Sequence, residues 1–257
     1  MIPKRIHYCW FGRAPKPALF RRCMASWKHH CPDYEIVEWN EENFDLDCCA
    51  YVREAYDGGY WAFVSDYARL KIVHDHGGIY LDTDVELVRS FDDLLQDSAF
   101  FGMEDRQSIA TGLGFGAEAG NPVVAAMLRG YDGIHFRKSD GSFDLTTCPL
   151  RNTDSVAHML PAVLPEGEIL RIPGAVIYPP EWFSPLSADG SRMRRTPNTH
   201  SIHWYSASWL TGDQMVVHKY RVFRSKCERL LGKGLGGWIA RFVYLFLPEK
   251  RKVLKRM

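Results

Sequence analysis

Four side chains in the first third of the chain are of types that do chemistry together: Asp66, Arg69, Asp82 and Asp84. Asp82 and Asp84 are separated by one residue, and two carboxylates that close repel unless a positive charge lies between or beside them. A divalent cation meets that need, and hard oxygen ligands favour Mg2+ or Mn2+. An acidic surface turn would carry the same letters, so spacing leaves both readings open. Asp66 and Arg69 are three residues apart, hence neighbours if the segment is helical. They would form either an exposed ion pair of under about 1 kcal/mol or a carboxylate and guanidinium set out for sugar hydroxyls and phosphate.

The surrounding residues say what must hold these groups. Trp61 to His76 places Trp61, Val64, Ala68, Ile72 and Val73 near helical spacing. Gly77-Gly78 ends that helix, and Ile79-Tyr80-Leu81 has the composition of a buried strand. Side chains two apart on a strand share a face, so Asp82 and Asp84 are expected to point into one pocket at its carboxyl end. Open α/β sheets bind their ligands there. Ile2 to Gly12 reads as a first strand ending in a turn, Pro17 to His30 as a helix with Leu19, Cys23 and Trp27 on one stripe, and Tyr34 to Trp39 as a second strand. Strand, helix and strand at these lengths predict a βαβ unit with a parallel pair. No G-x-G-x-x-G follows a predicted strand and G-x-x-x-x-G-K-[ST] does not occur, so the usual dinucleotide and P-loop signatures are missing.

Phe63-Val64-Ser65-Asp66-Tyr67-Ala68-Arg69-Leu70, followed by Gly77-Gly78-Ile79-Tyr80-Leu81-Asp82-Thr83-Asp84, resembles the core block of the DXD sugar-binding glycosyltransferases of family 32. That family includes bacterial capsular and lipopolysaccharide enzymes and Och1-type mannosyltransferases, and is related to the clostridial glucosylating toxins. The opening Ile2-Pro3-Lys4-Arg5-Ile6-His7 with Trp10, the run from Ser26-Trp27 to Trp39-Asn40, and the loop Tyr178 to Pro185 are also similar to it. Thr147-Cys148-Pro149 departs from the family's Thr-Gly-Pro.

The resemblance implies an α/β GT-A nucleotide-diphospho-sugar transferase fold, with a mostly parallel central sheet flanked by helices. It implies Mn2+ or Mg2+ on Asp84 and Asp82, completed by His203 or Ser206 from the late stretch that resembles H-x-x-x-x-S-W. Donor contacts are expected from Trp10, Tyr80, Asp66, Arg69, Asp82, Ser208 and Trp209, with Trp10 stacking on the base and Trp209 covering the diphosphate. Packing remains the alternative for Trp10 and for His203, and His7 reads as a hydrogen-bonded core histidine. The family retains anomeric configuration without an evident protein nucleophile, so no general base is named. A UDP-sugar is expected over a GDP-sugar, with a saccharide or lipid-linked acceptor in bacterial surface polysaccharide synthesis. A toxin-like protein glycosyltransferase and a non-catalytic nucleotide-sugar binding module are the alternatives.

Bulk properties agree with one sizeable soluble core: 257 residues, 46% hydrophobic and 25% charged. Seven cysteines without metal-type spacing predict reduced thiols, and no apolar leader opens the chain. The expected location is the bacterial cytoplasm, peripheral on the inner face of the membrane.

The net charge of +1 conceals an asymmetry. Residues 219–257 hold 12 Lys and Arg against 2 Asp and Glu, so the remainder is net acidic. The expected division is a GT-A catalytic domain at 1–217 and a basic amphipathic helical tail at 218–257. Trp238, Phe242, Leu245 and Phe246 fall on one helical face with Arg241 opposite, and the apolar run is too short to span a bilayer. An anionic membrane surface is the expected partner, a packed terminal helix the alternative, and nucleic acid is not expected for want of a binding motif.

Overall fold

The computed structural model describes residues 1–104, 108–161, 167–206 and 212–245, without the side chains of 212–214 and 245. Its elements run β1 (Arg5–Cys9), α1 (Ala18–His30), β2 (Glu35–Trp39), α2 (Ala50–Asp57), α3 (Trp61–His76), β3 (Gly78–Tyr80), β4 (Val85–Leu87), β5 (Ala99–Gly102) and β6 (Phe115–Ala117). There follow α4 (Pro122–Arg129), α5 (Cys148–Ser155), β7 (Leu170–Ile172), β8 (Ala175–Tyr178), α6 (Pro180–Phe183), β9 (Ser201–His203), α7 (Gly212–Leu231) and α8 (Lys233–Leu245).

Two compact units divide the chain. The first takes residues 1–184 and 195–203, the second 185–194 and 204–257. The division expected at 217/218 falls inside α7, whose unbroken backbone hydrogen bonding carries those residues together.

The first unit is built on a seven-stranded sheet in the order β2-β1-β3-β6-β5-β8-β7. The α/β class and the parallel β1–β2 pair are as predicted. The sheet is mixed rather than mostly parallel: β1–β2, β1–β3 and β5–β8 are parallel, while β3–β6, β5–β6 and β7–β8 are antiparallel. The β7–β8 hairpin turns on Pro173-Gly174, a short connection that forces antiparallel pairing. β6 likewise returns beside β5 and inserts next to β3.

α3 forms where predicted, and its Val64, Ala68, Ile72 and Val73 are buried in a core shared with Phe101, Phe115, Val124 and Met127. Gly77 and Gly78 both take positive φ, 62° and 104°. A side chain at 78 would meet the carbonyl of Arg5 at 2.9 Å, so glycine lets β3 lie close against β1. α4 begins at a capping asparagine, the Asn121 side chain accepting from the amides of Val123 and Val124. α5 starts at Cys148, with Pro149 in its first turn where no backbone donor is needed. α2 was not foreseen.

The second unit contains α7 and α8, packed around Tyr220, Ala240 and Tyr244 with Phe223 and Cys227 beside them.

Candidate active site

The site is made where β3 runs out. Leu81 donates its amide to the His7 carbonyl at 3.0 Å, and the strand then breaks into a turn in which Val85 donates to the Asp82 carbonyl at 3.0 Å. Asp82 and Asp84 are therefore brought together by a turn, not by the alternation of a continuing strand.

β4 leaves this turn and pairs antiparallel with β9, with Val85 opposite His203. That register sets His203 beside Asp84, Nε2 to Oδ1 at 3.1 Å. α1 supports the arrangement from behind. The Trp27 indole donates to the Val85 carbonyl at 2.7 Å, and the Leu87 amide donates to Ser26 Oγ at 2.9 Å. One ligand atom from each of Asp82, Asp84 and His203 lies within 4.8 Å of the other two. Two carboxylate oxygens and an imidazole nitrogen so grouped fit a divalent cation such as Mn2+. Burial works against a charged imidazole at His203, but the carboxylates of Asp84 and Asp82 outweigh it and hold its pKa above the usual value.

Behind the cluster stands Arg69, only 4% exposed. Its Nη2 reaches Asp66 Oδ1 at 2.9 Å and Asp82 Oδ1 at 3.2 Å, and its Nε donates to the Ser65 carbonyl at 3.0 Å. The Asp66–Arg69 pair is thus no surface ion pair. Arg69 is the buried clamp joining the helix carboxylate to the turn carboxylate. Burial pushes the Asp66 carboxyl up to about 6, against the opposing pull of Arg69. Asp82 is raised for the same reason, with the Arg69 charge again opposing. Its side chain keeps 26% of its surface open, so solvent moderates that rise.

Tyr80, expected on the donor, is buried beneath the pair, its hydroxyl donating to Asp82 Oδ1 at 3.1 Å and its ring 5.0 Å from the Arg69 guanidinium. It orients both groups. Trp10 follows the carboxyl end of β1, half-buried, with its indole N–H donating to the Ala14 carbonyl at 2.8 Å and its ring against Phe20. His7 is the hydrogen-bonded core histidine expected, receiving the Trp39 indole N–H on Nδ1 at 3.0 Å and so donating from Nε2 to the Gly77 carbonyl at 2.9 Å.

Ser206 belongs to the second unit, where it lines a cavity. Ser208 and Trp209 lie outside the described residues.

Two features escaped the sequence reading. Gly112 accepts the Asp82 amide at 3.3 Å, and a Cβ there would stand 2.3 Å from Asp82 Oδ2. Cys148 packs against Arg69, Nη1 to Sγ at 3.8 Å, and is held by Thr111 at 3.1 Å and by the Asn152 amide, which also donates to Thr111 at 3.0 Å. Burial pushes the Cys148 thiol up to about 12, so it packs as a neutral group. The only sequence signal was the departure of Thr147-Cys148-Pro149 from the family pattern.

Comparison with known proteins falls on the same residues. Residues 17–101 match the family described as the glycosyltransferase sugar-binding region containing a DXD motif. That span includes Asp66, Arg69, Asp82 and Asp84, while His203, Gly112 and Cys148 lie beyond it. Among solved structures, the PaToxG glycosyltransferase is similar at a TM-score of 0.46 and 16% identity, over 62% of this chain and 70% of that one. A glycosyltransferase involved in the glycosylation of the major capsid of PBCV-1 is similar at 0.43 and 12%, over 86% and 98%. No curated protein matches the chain in sequence. Residues 17–101 are thus similar to a DXD-type glycosyltransferase sugar-binding region.

Proposed function

We propose that the chain transfers a sugar from a nucleotide-diphosphate donor, preferentially a UDP-sugar, to a saccharide or lipid-linked acceptor in bacterial surface polysaccharide synthesis. The observation that carries this reading is the joining of Asp82, Asp84 and His203 to the buried Arg69–Asp66 pair at the end of one strand.

Cleaving the bond between anomeric carbon and phosphate leaves negative charge on the departing diphosphate. A divalent cation held by Asp84, Asp82 and His203 would neutralise that charge as it forms. The protein's own share is to fix geometry beforehand. Arg69 ties Asp66 to Asp82, so a carboxylate for sugar hydroxyls and a carboxylate for the cation keep one spacing. Tyr80 and the backbone of Gly112 lock the Asp82 rotamer from two sides. Trp10, at the neighbouring strand end, offers a partly open ring for the base. Asp66 is engaged by Arg69 and reserved for binding, which fits attack by the acceptor on the same face the diphosphate leaves, with anomeric configuration retained.

Donor hydrolysis over UDP- and GDP-linked glucose, galactose, N-acetylglucosamine and mannose, with Mn2+ and with chelator, tests the reading. Release of nucleoside diphosphate from one donor, dependent on the cation and lost in Asp84→Ala, is expected. Donor binding without turnover, indifferent to chelator, would mean a binding module instead.

A further inference from the structure

α7 and α8 come together through glycine. A Cβ at Gly236 would lie 2.3 Å from the Cys227 carbonyl, so only the bare backbone permits this approach. Gly236, Ala240 and Tyr244, four residues apart, form the face of α8 turned to α7. The other face presents Leu235, Trp238 and Phe242 at i, i+3 and i+7, exposed by 56%, 62% and 47%. Trp238 and Phe242 stack at 5.2 Å, making one continuous apolar surface. Leu245 and Phe246, expected on the same face, lie outside the described side chains. Arg241 is not opposite this stripe as expected. It is three residues from Trp238, so it flanks the stripe, and Ala240 and Tyr244 occupy the opposite side.

Basic groups outnumber acidic ones here, although Glu228 on α7 pairs with Arg224 at 2.7 Å. α8 has Lys233 and Arg241 and no acidic residue. α7 exposes Lys219, Arg221, Arg224, Lys226 and Arg229. Within the same unit a cavity of about 360 Å³ combines Leu186, Val222 and Phe223 with His218, Lys219 and Lys226. Aliphatic and aromatic lining beside ammonium groups suits an amphiphile with an anionic head.

We propose that the α7–α8 unit docks on an anionic lipid surface, with Leu235, Trp238 and Phe242 entering the boundary between headgroups and acyl chains. Arg241 and the α7 cations then meet lipid phosphates. No helix among the described residues is long and apolar enough to cross a membrane, so the contact is in-plane. A second copy on this stripe would set Arg241 and Lys233 against their own counterparts, a like-charge contact. Nucleic acid would satisfy the cations and leave the apolar stripe in water.

Flotation of the full chain tests this with phosphatidylcholine vesicles and with vesicles also containing phosphatidylglycerol. The chain is expected to float with the anionic vesicles only, less so as salt rises. Leu235→Ser/Trp238→Ser is expected to bind about tenfold or more weakly, since each substitution removes an inserted apolar side chain. Arg241→Glu, a single exposed change that leaves the helix contact intact, is expected to weaken binding to anionic vesicles too. Equal flotation of wild type and both variants would overturn the proposal. So would a lipid-free dimer that dissociates in Leu235→Ser/Trp238→Ser, or binding to nucleic acid that Arg241→Glu abolishes while vesicles are ignored. Vesicle binding needs neither donor nor turnover, so its failure and the failure of the transferase reading are separately visible.

Discussion

Gly112 and Asp82 touch with no room between them: the glycine carbonyl accepts the Asp82 amide, and a methyl group at 112 would overlap Asp82 Oδ2 at 2.3 Å. The same methyl would stand 3.0 Å from Arg69 Nη1. Gly112 does not have positive φ, so alanine is allowed by the backbone and excluded by the carboxylate. Gly112→Ala is therefore expected to fold, at a cost of about 1–3 kcal/mol in overpacking, and to lose cation affinity and turnover together. Isothermal titration with Mn2+, alongside thermal unfolding, measures both. Undiminished Mn2+ affinity would show that the Asp82 carboxylate is not positioned by this contact.

Arg69 is the only cation directly linking Asp66 to Asp82 among the described residues. Removing it in Arg69→Met leaves two enclosed carboxylates uncompensated, a loss of about 3–5 kcal/mol. Arg69→Lys keeps the charge but not the planar fork, and is expected to recover much of the stability and little of the activity. Chemical denaturation and donor hydrolysis on the same pair of variants separate the two. Full activity in Arg69→Lys would reduce the clamp to a point charge.

His7 gives the chain an acid sensitivity away from the site. Burial lowers its pKa from 6.5 to about 4, despite its bond to the Gly77 carbonyl. The unfolded chain then binds the proton more readily than the folded one between those values. Stability contributed by neutral His7 is complete above pH 6.5 and falls away as pH drops toward 4, by up to about 3 kcal/mol. Urea unfolding from pH 7 to pH 4 is expected to show this slope in wild type and a shallower one in His7→Gln. Identical slopes would assign the acid sensitivity elsewhere.

Much of the site was legible because it is local. Asp66 and Arg69 share one helix, and Gly77 to Asp84 is one continuous stretch, so periodicity and turn chemistry marked four side chains as neighbours, while their role came from the family resemblance alone. The strand-alternation argument for Asp82 and Asp84 reached the right pair through the wrong geometry, since the turn closed by Val85 and not a longer strand brings them together. Gly112 and Cys148 were invisible because their roles exist only across long separations, against Asp82 and Arg69. The antiparallel insertion of β6 beside β3 was hidden for the same reason: three-residue strands carry too little periodicity to announce their partners. The position of His203 depends on the β4–β9 register, which resemblance hinted at and only the pairing explains.

The central claim is that Asp82, Asp84 and His203 hold a divalent cation that in turn holds a nucleoside diphosphate. Calorimetric titration of UDP into the full chain, with Mn2+ and again with chelator, tests it most directly, for wild type and Asp84→Ala. Tight binding only with Mn2+ in wild type, and none in Asp84→Ala under either condition, is the predicted result. UDP binding that is equally strong with chelator, or unchanged in Asp84→Ala, would contradict it.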